Sequence, residues 1–254
     1  MASCVVGSIL LLPRSTFSRT YPKSSQPHLF FSLLPALLIT NCRVNCYRLL
    51  DICLKNSAIF IAPDYRLLPE ATATEVLDDM EDFWHWLHDT LPTLTATWNA
   101  VPDLTRLACT GQSAGGYLAV QSALLFPDLS QIKVVASMGG SLNTDIPHCR
   151  IPGPRVILGK RPPPPGKAES IIRTYLKNIK PQTVRTSGDV MEMWNLLTCV
   201  LQQAYLARWL GAGKEDLDVM KVLQRAQSMP PSKSRLSIFQ CCKNVQKANL
   251  ARSL

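Results

Sequence analysis

Between Gly7 and Gly111 the chain contains no glycine, although the full 254 residues hold 12. That stretch therefore has no residue that takes up left-handed backbone without strain. It excludes a glycine-rich loop, whether a phosphate cradle or a turn of exposed N–H donors, from the whole segment. Acids are missing from residues 1–50 and again from 221–254. Long apolar runs are missing too: Val5–Leu12 is broken by Pro13 and Leu29–Thr40 by Pro35. Both fall short of the ~20 residues that span a bilayer, so no integral membrane span is expected. The nine cysteines include no Cys-x-x-Cys pair, which removes the common zinc spacings. No metal and no cofactor is implied. Histidine is scarce, with four in all and only His148 beyond residue 113.

The acid-free ends decide how the net charge of +9 is read. Residues 1–50 carry five bases and residues 221–254 carry seven, while the middle holds all 18 acids against 15 bases, a net of −3. A nucleic-acid face would interleave bases with polar and aromatic residues along one element. Here the excess is spread through two segments of poor periodicity, so nucleic acid is not an expected partner. An odd cysteine count, with no base ahead of the first apolar run to make a secretory signal, points to reduced thiols and a cytoplasmic location. The acid-free stretch 14–25, with its Ser and Arg, weakly resembles a mitochondrial transit peptide. The organisation expected is a basic leader over 1–50 that is disordered or foreign to the core, an ordered core over 51–230 and a basic tail over 231–254. With 46% hydrophobic residues, the chain is long enough to bury a substantial core.

Order is expected from about Ser57. Ser57–Ala62 reads as a buried strand ending in Pro63-Asp64. Val76, Leu77, Met80, Phe83, Trp84 and Leu87 then recur at helical spacing, with acids on the other face, until Pro92. Leu104–Thr110 reads as a second strand, Tyr117–Phe126 as an apolar helix closed by Pro127, and Ile132–Met138 as a third strand. Strands alternating with helices imply parallel pairing through right-handed crossovers, an α/β fold with a mostly parallel central sheet flanked by helices. Beyond Asn143 the pattern turns helical, over Glu169–Asn178, Val190–Leu210 and Leu217–Gln227, and reads as a cap-like insertion at about 150–230. Arg161–Gly166 (R-P-P-P-P-G) should be an extended, stiff connector.

Chemistry enters at Gly111-Gln112-Ser113-Ala114-Gly115. The pattern G-x-S-x-G between an apolar strand and an apolar helix makes a sharp turn that puts the serine in strained backbone. Small residues two before and two after leave room for the neighbouring chain, with Gly116 beside them. The Ser113 hydroxyl then stands at a helix N-terminus, where the Ala114 N–H and the helix dipole can stabilise an oxyanion.

Two motifs together resemble a known group. Asp64-Tyr65-Arg66-Leu67-Leu68-Pro69-Glu70, then an acidic amphipathic helix, then Gly111-Gln112-Ser113-Ala114-Gly115-Gly116, is similar to D-Y-R-L-A-P-E and G-D-S-A-G-G of the α/β-hydrolase fold-3 family, the esterases like hormone-sensitive lipase. The resemblance covers roughly 57–230 and departs at Leu68 and Gln112. It implies Ser113 as nucleophile, Ala114 as one oxyanion donor, Gly111, Gln112, Gly115 and Gly116 as support, and a small acyl ester as substrate. Asp64, Tyr65 and Arg66 are expected in a buried, hydrogen-bonded turn behind the site.

The family's other parts are not matched. The glycine-free stretch leaves no H-G-G-G oxyanion loop, and the order Ser, acid, His finds only His148 after Ser113 and no acid after Asp218. Asp145 and His148 are the one acid–base pair within reach of the motif, three residues apart on one loop. His85 and His88 read as solvated or packed by their stems. Without a base a serine is a poor nucleophile. Three readings stay open: a serine esterase, a hydrolase scaffold that binds an apolar small ligand or partner without turnover, or a truncated gene product of esterase lineage. A truncated product would lack the first and last strands and expose sheet edges, with poor solubility.

Overall fold

Non-local pairing builds a sheet that local sequence signals only half declare. The computed structural model describes residues 8–10, 28–33, 47–97, 101–157, 159–188, 190–211, 214–228 and 236–241. Its elements in chain order are β1 (Ser8–Leu10), β2 (His28–Leu33), α1 (Tyr47–Lys55), β3 (Ile59–Ala62), α2 (Ala73–Asp89), α3 (Leu91–Ala96), β4 (Asp103–Gln112), α4 (Ala114–Leu125), α5 (Pro127–Ser130), β5 (Ile132–Met138), α6 (Pro147–Arg150), α7 (Pro165–Asn178), α8 (Val190–Gln202), α9 (Tyr205–Trp209), α10 (Val219–Ser228) and β6 (Ser237–Cys241). The strands form one sheet in the order β1-β3-β2-β4-β5-β6. All neighbours run parallel except the edge pair β1–β3. This is an α/β-hydrolase arrangement, with the parallel sheet flanked by helices.

Three strands and one helix lie where no order, or no strand, was expected. β1 and β2 come from the basic leader, β6 comes from the basic tail, and α1 precedes Ser57. The sheet therefore draws strands from both the leader and the tail. β2 escapes local patterning because it inserts between β3 and β4 through parallel pairing, with partners far along the chain rather than in a neighbouring hairpin. The remainder of 1–46 and 242–254 lies outside the described residues.

The middle of the chain follows its patterning. α2 buries Val76, Leu77, Met80, Phe83, Trp84 and Leu87, and Thr72 with Glu75 closes a capping box at its start. α2 ends at Thr90, and Pro92 sits in the first turn of α3 rather than beyond a stop. α4 is apolar all round and buried from Ala114 through Ala123. Tyr117 Oη on α4 donates to the Leu217 carbonyl at 2.8 Å, and Gln121 Nε2 donates to the Asp216 carbonyl at 3.0 Å. These bonds hold the loop before α10 against the core. Burial pushes the Tyr117 hydroxyl up to about 12.

The insertion departs from its reading in two places. The single helix expected over Val190–Leu210 is two, α8 and α9, separated where Ala204 adopts φ +56°. The proline run is extended only as far as Pro164, at φ −50° and ψ 148°, and Pro165 opens α7. A proline at the first helical position gives up no hydrogen bond and its ring presets φ.

On the sheet face away from α4, α1 packs against β3, with Cys53 against Phe60 and Ala62. Alternation along β5 and β6 leaves Val134, Met138 and Phe239 exposed, the last at 57%.

Candidate active site

The C-terminal ends of β4 and β5 meet at the serine motif. At the end of β4 the chain reverses into α4 through Ser113, whose backbone is φ +54° and ψ −118°. That combination lies outside the regions an L-residue favours and costs about 1–3 kcal/mol. Surrounding contacts hold it there. The Ser113 N–H donates to the Met138 carbonyl at 2.9 Å, and the Ser113 carbonyl accepts from the Tyr117 N–H at 3.1 Å. The serine is exposed and its side chain makes no cap for α4, so the hydroxyl is free to face solvent or substrate. Ala114 begins the helix, 6% exposed, with its N–H among the unpaired donors of the first turn.

The glycines are dictated by backbone contact. A Cβ at Gly111 would stand 2.1 Å from the Gly115 carbonyl oxygen and 2.2 Å from its carbon. At Gly116 it would stand 2.6 Å from Ser137 Oγ and 3.0 Å from the Gly111 carbonyl oxygen. Gly115 is buried in the first turn of α4, and Gln112 is exposed at the end of β4 beside Met138. The residues expected as elbow support are therefore assembled. Ser137 and Gly140 pack into the same turn, and no local sequence pattern marks them.

The Asp64–Glu70 segment is the buried turn expected. Tyr65 and Leu67 are 1% and 0% exposed. Arg66 Nε donates to both Asp79 oxygens at 2.9 and 3.0 Å, and the Arg66 N–H donates to Asp79 Oδ2 at 2.8 Å. Burial pushes the Asp64 carboxyl up. Glu70 binds across to the insertion, accepting from Arg185 Nε and Nη2 at 2.8 Å each and from the Tyr175 hydroxyl. Arg185 Nη2 also donates to the Leu68 carbonyl at 2.6 Å, and its own carbonyl accepts from the Leu67 N–H at 2.8 Å. The segment thus ties the cap-like helices to the sheet.

Of the acid–base pair, only the carboxylate is described. Asp145 is exposed and its carboxylate is paired with Arg150 Nε at 2.6 Å. His148 lies in α6, and its side chain is outside the described residues. His85 is exposed, while His88 is half-buried with Nε2 lacking a hydrogen-bond partner. Ser113 Oγ has no hydrogen bond to a side chain among the described residues. Exposed ion pairs contribute roughly 0–1 kcal/mol, so Asp145→Asn is expected to leave both melting temperature and Ser113 reactivity nearly unchanged. A large loss of phosphonate labelling in that variant would restore Asp145 as a working acid.

Clefts of about 450 and 540 Å³ lie along α7 and between α7 and α8, and neither is lined by an elbow residue. Among the described residues no group of three metal-ligating side chains occurs, and no helix is long and apolar enough to cross a membrane.

Known proteins carry the same frame. Residues 42–152 match the α/β-hydrolase fold family. The chain is 48% identical over 179 residues to "probable carboxylesterase clz11" of Cochliobolus lunatus, covering 69% of this chain and 81% of that one. The chain belongs to the α/β-hydrolase fold-3 family. It is also 47% identical over 186 residues to "probable carboxylesterase M8" of Phoma sp., covering 72% of this chain and 58% of that protein's length. A solved α/β-hydrolase superfamily protein from Enterococcus faecalis shares the fold at a TM-score of 0.56 and 15% identity, over 87% of this chain and 84% of that one. Both of these fungal relatives are named as probable carboxylesterases.

Proposed function

We propose that this fold-3 hydrolase forms an acyl-enzyme at Ser113 with a small carboxylic ester. The observation that carries the reading is the strained, exposed and uncapped serine at φ +54°, since such strain persists only where surrounding structure enforces it. Ser113 Oγ attacks the ester carbonyl carbon, and the oxygen that gains charge is stabilised by the Ala114 N–H and the dipole of α4. The tetrahedral intermediate collapses, the alcohol leaves with a proton, and the acyl group remains on Ser113. Water then releases the carboxylic acid and restores the hydroxyl.

Where no histidine–carboxylate pair assists Ser113, the serine proton passes to solvent and both steps are slow. Loss of triad members commonly costs several orders of magnitude, roughly 10⁴–10⁶ in rate. A second reading, ligand binding without turnover, is favoured by the lack of a histidine–carboxylate pair against Ser113 among the described residues. A chromogenic ester separates the two. Mixed with p-nitrophenyl acetate, the protein should release up to one nitrophenolate per chain and then nearly stop, while Ser113→Ala releases none above background. Equal release from both proteins would overturn the acyl-enzyme and leave the binding reading.

A further inference from the structure

We infer that Ser137 is the positioning residue of the elbow: its buried hydroxyl sets how closely the first turn of α4 approaches the sheet. The inference deepens the reading of Ser113 as nucleophile and rests on it for its catalytic meaning. Ser137 lies on β5, 1% exposed, and pairs in register with Gly111, the first residue of the motif. The next residue, Met138, supplies the carbonyl that holds the Ser113 N–H.

The surroundings of Ser137 Oγ are made of backbone. A Cβ built on Gly116 would stand 2.6 Å from it, and one built on Gly140 would stand 2.4 Å from it. The Gly140 position is also pressed by the Gly116 carbonyl carbon at 2.9 Å and the Tyr117 nitrogen at 3.0 Å. Helix, strand and following turn therefore close on one oxygen atom. That oxygen has no hydrogen-bond partner in the structure. A buried polar atom left unpaired costs roughly 1–3 kcal/mol, so an alanine there would be the cheaper residue if packing alone mattered.

The position accounts for the effect on chemistry. The Ala114 N–H precedes Gly116 by half a turn, so a shift of the first turn moves the oxyanion donor relative to Ser113. Catalytic geometry tolerates displacements of only about 0.5 Å. A Cβ at Gly116 would be pressed hardest by Ser137 Oγ, ahead of the Gly111 carbonyl oxygen at 3.0 Å and the Gly140 Cα at 3.1 Å.

A double-mutant cycle tests this. Wild type, Gly116→Ala, Ser137→Ala and Gly116→Ala/Ser137→Ala are compared by amide hydrogen exchange over residues 114–120 and by the rate of fluorophosphonate labelling. Gly116→Ala should raise exchange and slow labelling by about 10-fold or more, the scale of overpacking a close-packed site. Ser137→Ala alone should slow labelling several-fold without lowering the melting temperature. The double variant should recover most of what Gly116→Ala loses. Val135→Ala, a core truncation on the same strand, should lower the melting temperature while leaving the labelling rate unchanged.

A double variant as impaired as Gly116→Ala, or worse, overturns the inference. So does a labelling rate that follows melting temperature through all the variants. If Gly116→Ala does not fold, a folded double variant supports the inference and an unfolded one counts against it. If wild type does not label but exchange is rescued in the double variant, Ser137 keeps its place in the fold and the nucleophile reading is the one that fails.

Discussion

Gly111→Ala is expected to disable the protein more than any other single methyl group. The new Cβ would lie 2.1 Å from the Gly115 oxygen and 2.7 Å from the Gly116 nitrogen. These are backbone atoms, so no rotamer change relieves the overlap. Either the end of β4 moves away from α4 or the helix start unwinds, and both abandon the Ser113 conformation. Overpacking typically costs about 1–3 kcal/mol, and contact with backbone on every side places this change at the upper end or beyond. For a chain of this length each kcal/mol is worth roughly 2–4 °C in melting temperature. The variant should therefore melt at least about 6 °C lower and lose phosphonate labelling. Retention of both would mean that the strand–helix junction is not as described. Gly153→Ala is the control, since its Cβ would meet nothing within 4 Å.

Arg185→Ala should have a comparable effect on stability through a different mechanism. The Glu70 and Arg185 side chains are 4% and 15% exposed, so removing the cation strands a buried carboxylate. Breaking such a pair costs about 3–5 kcal/mol, mostly through the charge left behind. The Tyr175 hydroxyl would remain Glu70's partner, and burial together with that hydrogen bond already holds Tyr175 up to about 12. The pH dependence follows from Glu70. Burial by itself pushes its carboxyl up, but hydrogen bonds from Arg185, Tyr175 and its own backbone, with the Arg185 charge, outweigh burial and hold it below the ordinary value of 4.5. A depressed carboxylate stabilises the fold above its unfolded value, and that contribution is lost as pH falls through the folded value. Wild type should lose stability in acid below about pH 4.5, and Glu70→Gln should show a shallower acid limb. An unchanged limb would place the acid-sensitive group elsewhere.

Legibility in the sequence divides by the range of the interaction. β3, α2, β4, α4 and β5 were readable because period, caps and proline mark each one locally. Thr72 and Glu75 even spell a capping box, a signal that was present and unused. β2 and β6 were not readable. His28–Leu33 and Ser237–Cys241 are short and become strands only by pairing with chain far away. Ala204 breaks a helix with neither glycine nor proline to announce it. At the site, the elbow was written in five residues, whereas Ser137 and Gly140 join it through a parallel crossover that no local pattern encodes. The +9 charge proved a poor guide to order, because the basic ends donate three of the six strands.

The central claim is that Ser113 is a nucleophile held ready by the elbow. Peptide mapping by mass spectrometry after treatment with a fluorophosphonate tests it most directly. The protein should gain one phosphonyl group, carried on the peptide that contains Ser113, with loss of fluoride, and Ser113→Ala should gain none. Labelling that is equal in the two proteins, or that falls on another residue, would contradict the account.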